Sequence, residues 1–129
     1  MSHTIMIVDD SAIIRMQLSS VLKKNSYLVV EAKNGAEALE LAEQRDDLAL
    51  VITDINMPVM DGLTFLAQLR ALEGYAETPI FVLTTESTTH IQDEGRDKGA
   101  TAWIVKPFDE GALLAGIANF LESSGSLDT

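Results

Sequence analysis

Short β-branched apolar runs alternate along the chain with longer stretches in which apolar side chains recur every three or four positions. That alternation predicts repeated strand–helix units and a parallel α/β sheet. Five runs qualify as strands: Thr4–Val8, Leu28–Ala32, Ala49–Thr53, Pro79–Leu83 and Thr101–Val105. Several are apolar without interruption, as expected of strands covered by helices on both faces.

The intervening segments carry their own start and stop signals. Ser11 is placed to cap a first helix that turns Ile14, Leu18, Val21 and Leu22 to the sheet and stops near Lys23-Lys24-Asn25. Asn34 caps a second, with Ala38, Leu39 and Leu41 inward, and Asp61 a third that starts near Gly62 and buries Leu63, Leu66, Leu69 and Leu72. The fourth, over 88–98, has Ile91 as its only large aliphatic residue and contains Thr88, Thr89 and an interior Gly95. It is expected to be the most loosely held. The fifth, Asp109 to about Glu122, buries Leu113, Leu114, Ile117, Phe120 and Leu121, and the polar segment 123–129 reads as a frayed tail.

Length and composition narrow the class. The 129 residues suit one domain spanning 1–129, and 47% hydrophobic with 22% charged residues is the balance of a globular chain. There is no cysteine, which removes disulfides and thiolate metal sites. Neither a leader pattern at Met1–Asp10 nor a bilayer-length apolar stretch is evident, so a cytoplasmic protein is expected. A formal charge of −11 opposes nucleic-acid and anionic-membrane binding, which directs output through a protein partner.

In an open α/β sheet, ligands gather beyond the carboxyl ends of the strands. Here those positions hold Asp9-Asp10, Asp54, Thr84-Thr85 and Lys106-Pro107. Any one acid alone would pass as a helix cap or a turn residue, and a lone lysine as a solvated charge. Four strand ends carrying complementary chemistry are a different matter. Carboxylates about 4 Å apart repel by about 4 kcal/mol at a surface-like dielectric, so three together call for a cation. Oxygen ligands without His or Cys favour magnesium or calcium, and a site with room for waters and phosphate oxygens suits magnesium. Carboxylate, metal and lysine around an open position are the parts of phosphoryl transfer, with an aspartate able to act as nucleophile. Lys106-Pro107 reads as a rigid turn, compatible with a cis bond, that aims the lysine.

Taken together, Ile7-Val8-Asp9-Asp10-Ser11, the run Ile52 to Gly62, Val82-Leu83-Thr84-Thr85 and Gly99-Ala100 through Trp103-Ile104-Val105-Lys106-Pro107-Phe108 resemble the response-regulator receiver family over nearly the whole chain. The resemblance implies a flavodoxin-like, doubly wound sheet of five parallel strands in the order 2-1-3-4-5 with five helices. It also implies Asp54 as phosphoacceptor, with Mg2+ held by the Asp10 and Asp54 carboxylates, by Asp9 through water and by the Asn56 backbone carbonyl. Thr84 and Lys106 would bind phosphoryl oxygens. Asn56 and Glu86 would tune hydrolysis, and Trp103 stands where the family carries its switch aromatic, usually Tyr or Phe.

By the same resemblance the chain is a phosphoacceptor switch of a two-component system. It takes its phosphoryl group from a sensor histidine kinase and acts by changing partner binding, as a monomer. It is not an enzyme beyond its own phosphorylation and dephosphorylation. Asn56, Glu86 and the Thr84-Thr85-Glu86-Ser87 stretch resemble chemotaxis regulators, which makes a flagellar motor switch or a histidine phosphotransfer protein the expected target. The absence of Lys or Arg after Lys106 counts against the motor. The alternatives are a phosphorelay intermediate and a receiver cut from a longer regulator. A flavin carrier would need a Ser/Thr/Gly-rich loop where Asp9-Asp10 stands, and an aspartyl phosphatase usually has an acid where Asn56 stands.

Overall fold

The computed structural model describes residues 3–126, with side chains through Leu121. Strand and helix alternate throughout: β1 Thr4–Val8, α1 Ala12–Lys24, β2 Leu28–Ala32, α2 Gly35–Glu43, β3 Leu48–Thr53, α3 Gly62–Ala71, β4 Ile80–Thr84, α4 Thr89–Asp97, β5 Ala102–Val105 and α5 Glu110–Ser126. The strands form one parallel sheet in the order β2-β1-β3-β4-β5, as expected.

Alternation along the strands splits the core into two apolar layers. Ile5, Ile7, Leu50 and Ile52 pack with Leu18 and Leu22 of α1 and with Leu113 and Ile117 of α5. Met6, Val8, Val51 and Val82 pack on the opposite face with α2 and α3. The anticipated caps are in place: side-chain oxygens of Ser11, Asn34 and Asp61 accept from the N–H groups of Ile14, Glu37 and Thr64. Thr88, expected inside the fourth helix, is instead its cap and accepts from the Ile91 N–H.

Where packing departs from expectation, the cause is tertiary. On α2 the buried line is Gly35, Ala38, Leu39 and Ala42, leaving Leu41 half-buried. Small residues there let α2 approach α3 so closely that a Cβ on Gly35 would lie 2.9 Å from that of Phe65. Phe65 is accordingly buried, and Leu63 and Leu72 are only partly covered. Phe120 is 40% exposed and meets Phe81 edge to face at 5.6 Å. β2 and β5 are the sheet edges and are covered less completely than the inner strands. The helical backbone of α5 continues to Ser126 and so takes in residues 123–126 of the segment read as a tail. Residues 127–129 lie outside the described residues. Among the described residues no helix is long and apolar enough to cross a membrane.

Candidate functional site

Strand register assembles the site. Val8 lies opposite Thr53, so Asp9 and Asp54 leave neighbouring strands side by side. The ladder runs on past the strand ends, with Asp9 N–H donating to the Ala32 carbonyl (3.1 Å), Asp54 N–H to Val8 (2.9 Å) and Lys106 N–H to Thr84 (2.8 Å). Carboxylate oxygens of Asp9, Asp10 and Asp54 can all be chosen within 4.8 Å of one another. The Lys106 ammonium lies 2.9 Å from both Asp9 Oδ2 and Asp54 Oδ2. The Lys106-Pro107 bond that precedes α5 is cis.

Each acid is held differently. Asp54 is 7% exposed; its Oδ1 accepts from the N–H groups of Ile55 (2.6 Å) and Asn56 (3.2 Å), while Oδ2 faces Lys106. Its carbonyl accepts from the Thr53 hydroxyl at 2.8 Å. Asp9 is 2% exposed, with Oδ1 on the Ser11 N–H (2.9 Å) and its carbonyl on Arg15 Nη1 (2.6 Å). Asp10 is exposed, and among the described residues its carboxylate takes no hydrogen bond. Burial works against the charge on Lys106, but hydrogen bonds to Asp54 and Asp9 outweigh it and hold the ammonium above its ordinary pKa.

Gly62 makes this geometry possible. A Cβ there would sit 2.1 Å from the Asp54 carbonyl oxygen and 2.5 Å from the Ile55 Cα, and the Gly62 N–H donates to the Ile55 carbonyl at 2.9 Å. The start of α3 thus rests directly on the backbone of Asp54.

A second group of residues links the rim to β5. Thr84 is 0% exposed, and its hydroxyl accepts from the Glu86 N–H at 3.3 Å. Glu86 Oε1 accepts from Asn56 Nδ2 at 3.4 Å, and its carbonyl accepts from the Trp103 indole N–H at 2.9 Å. The Trp103 ring lies over α4, where a Cβ on Gly95 would come within 2.5 Å of it.

The family model described as "Response regulator receiver domain" matches residues 5–118. This chain belongs to that family. It is therefore a receiver domain of two-component signalling, a phosphoacceptor switch. The receiver is similar to the Vibrio cholerae chemotaxis protein CheY4, at 39% identity and a TM-score of 0.89 over 94% of this chain and 100% of that one. It is also 36% identical to the Staphylococcus aureus transcriptional regulatory protein SrrA over 98% of this chain and 51% of SrrA, so the receiver spans about half the length of the curated relatives it matches. A receiver domain of the sensor histidine kinase PA1611 from Pseudomonas aeruginosa, crystallised with magnesium in its active-site cleft, shares the fold with a TM-score of 0.85 at 22% identity, over 93% of this chain and 98% of that one.

Of the residues singled out in the sequence, the receiver brings Asp9, Asp10, Asp54 and Lys106 into one cluster. Thr84, Asn56, Glu86 and Trp103 form the adjoining network. Three contributors were not anticipated: Arg15, Thr53 and the contact made by Gly62. Only Gly62 carried a signal, as the glycine directly after a helix-capping aspartate.

Proposed function

We propose that this receiver accepts a phosphoryl group on Asp54 from a sensor histidine kinase, with Mg2+ bound, and relays it through altered partner binding in chemotaxis. The observation that carries the reading is the Lys106 ammonium shared between two buried carboxylates beside the exposed Asp10. All-oxygen donors with one solvent-facing carboxylate fit a hard divalent ion that keeps several waters. Asp10 and Asp54 would hold it directly, Asp9 through water and Asn56 through its carbonyl. Bound there, magnesium supplies charge neutralisation for the phosphoryl oxygens.

The chain's own groups account for the rest. The Ile55 and Asn56 amides fix one oxygen of Asp54 and thereby orient its carboxylate toward the donor. A carboxylate oxygen forms the new O–P bond as the P–N bond of the kinase's phosphohistidine breaks, and the departing imidazole keeps the electron pair and takes up a proton. Lys106 offers its ammonium to the equatorial oxygens. A cleft of about 620 Å³ beside Lys106, between Ile14, Met16 and Val21 of α1 and Pro107-Phe108, suits a protein donor. On this reading the chain is not an enzyme beyond its own phosphorylation and dephosphorylation, and acts as a cytoplasmic monomer.

Similarity to CheY4 and the Asn56–Glu86 pair favour chemotaxis. The SrrA match favours a second reading, a receiver that belongs to a longer regulator. Incubation with acetyl phosphate tests the core: the wild type should take a base-labile label that Asp54→Asn and excess chelator both abolish, and full labelling of the variant would refute the acceptor. Binding of the phosphorylated protein to a motor switch component or a histidine phosphotransfer protein separates the outputs.

A further inference from the structure

Asp9 has every polar group engaged. Its N–H belongs to the β1–β2 ladder, Oδ1 takes the Ser11 amide, Oδ2 takes Lys106, and the carbonyl takes Arg15 Nη1 at 2.6 Å. The last contact is the one made by a charged side chain to the backbone between Asp9 and Asp10. Arg15 is one turn into α1, and its Nε donates to Glu31 Oε1 on β2 at 3.3 Å. One planar guanidinium therefore ties α1, the end of β1 and the edge strand β2 together. A guanidinium can present two donors in a fixed fork, which an ammonium cannot.

We propose that Arg15 is a positioning residue for the metal site, acting through Asp9 and Asp10 rather than touching metal or phosphoryl group. The inference rests on the magnesium reading above. A charge-assisted hydrogen bond to the Asp9 carbonyl fixes the peptide plane from which the Asp10 backbone continues. Among the described residues the Asp10 carboxylate takes no hydrogen bond, so its direction depends on that plane. Glu31 is 42% exposed at its side chain, so its ion pair with Arg15 adds little stability and serves chiefly to hold the fork in position.

Outer-shell partners of metal ligands typically cost about 10- to 100-fold in metal affinity when removed. For Arg15→Met the lower figure is expected, since Asp9 and Asp10 both remain. The full chain is titrated with Mg2+ alone by calorimetry, and its labelling by acetyl phosphate is followed across magnesium concentrations. Arg15→Met should raise both midpoints about 10-fold, with the midpoint shifting more than the rate at saturation. Arg15→Lys, able to reach one partner at a time, should recover part of the shift. Glu31→Gln should shift the midpoint in the same direction by less, and should add nothing in the Arg15→Met background. A merely structural arginine would lower the labelled fraction at an unchanged midpoint, and that result overturns the proposal. Should Arg15→Met not fold, unchanged midpoints in Arg15→Lys and Glu31→Gln overturn it equally. A wild type that binds no magnesium and labels without it would sink the metal reading itself, whereas normal wild-type binding with an unshifted Arg15 variant sinks only the role of Arg15.

Discussion

Replacing Lys106 with Met removes the cation that two buried carboxylates share while keeping most of the aliphatic stem. The structure sets the size of the effect. At a separation of 4.8 Å two carboxylates repel by about 3.5 kcal/mol at an effective dielectric of 20. Leaving buried charges without their partner costs about 3–5 kcal/mol in measured cases. A loss of about 3 kcal/mol in metal-free buffer is therefore expected, read as a lower urea midpoint at unchanged slope. A magnesium control ties the loss to repulsion. Magnesium should restore stability, by about 2.7 kcal/mol at a hundred times its dissociation constant, and should help the variant more than the wild type, where Lys106 already neutralises the acids. Equal stability of the two proteins in metal-free buffer, or an equal gain from magnesium, would mean that Lys106 does not relieve repulsion between the two carboxylates.

Three further outcomes follow from the geometry. Gly62→Ala drives a Cβ into the Asp54 carbonyl, so overpacking should cost about 1–3 kcal/mol or more in urea denaturation and slow labelling, while Gly111→Ala, whose nearest contact is an ordinary 3.5 Å, should be neutral or stabilising. Lys106 has a folded pKa above its unfolded value near 10.5, so its stabilisation is fully present below that pH and is lost as pH rises through the higher folded value. In metal-free alkaline denaturation the wild type should show that loss and Lys106→Met should not. Beryllofluoride with magnesium, mimicking the acyl phosphate, should draw on the Thr84 hydroxyl and disturb the Glu86 loop, changing Trp103 emission through its 2.9 Å bond to the Glu86 carbonyl; an unchanged spectrum on a protein that binds the mimic would break that link.

Much of the architecture was legible because local signals agree with the fold. The caps at Ser11, Asn34 and Asp61, the apolar strands and the acids at the strand ends each follow from short-range chemistry. Strand boundaries moved by a residue for identifiable reasons. Pro79 has no N–H to donate to a ladder, so β4 begins at Ile80 and extends to Thr84. What the sequence hid is what depends on a distant partner. The closeness of α2 to α3 turns on Gly35 meeting Phe65, and α4 is met by an indole that reaches its buried Gly95 from β5. Arg70 of α3 likewise donates to the Tyr75, Thr78 and Gly99 carbonyls, bracing the loops that flank β4 and β5. Arginines such as Arg15 and Arg70 read as ordinary helix-surface charges until the backbone carbonyls they hold are in place.

On the proposed function Asp54, and not its two neighbouring aspartates, carries the phosphoryl group. Borohydride reduces an aspartyl phosphate to homoserine, so the protein treated with acetyl phosphate and magnesium, then reduced and digested, can be mapped by mass spectrometry. Homoserine is expected at position 54 alone, and absent when magnesium is chelated. Homoserine at position 9 or 10, or an unmodified residue 54 in fully labelled protein, would contradict it.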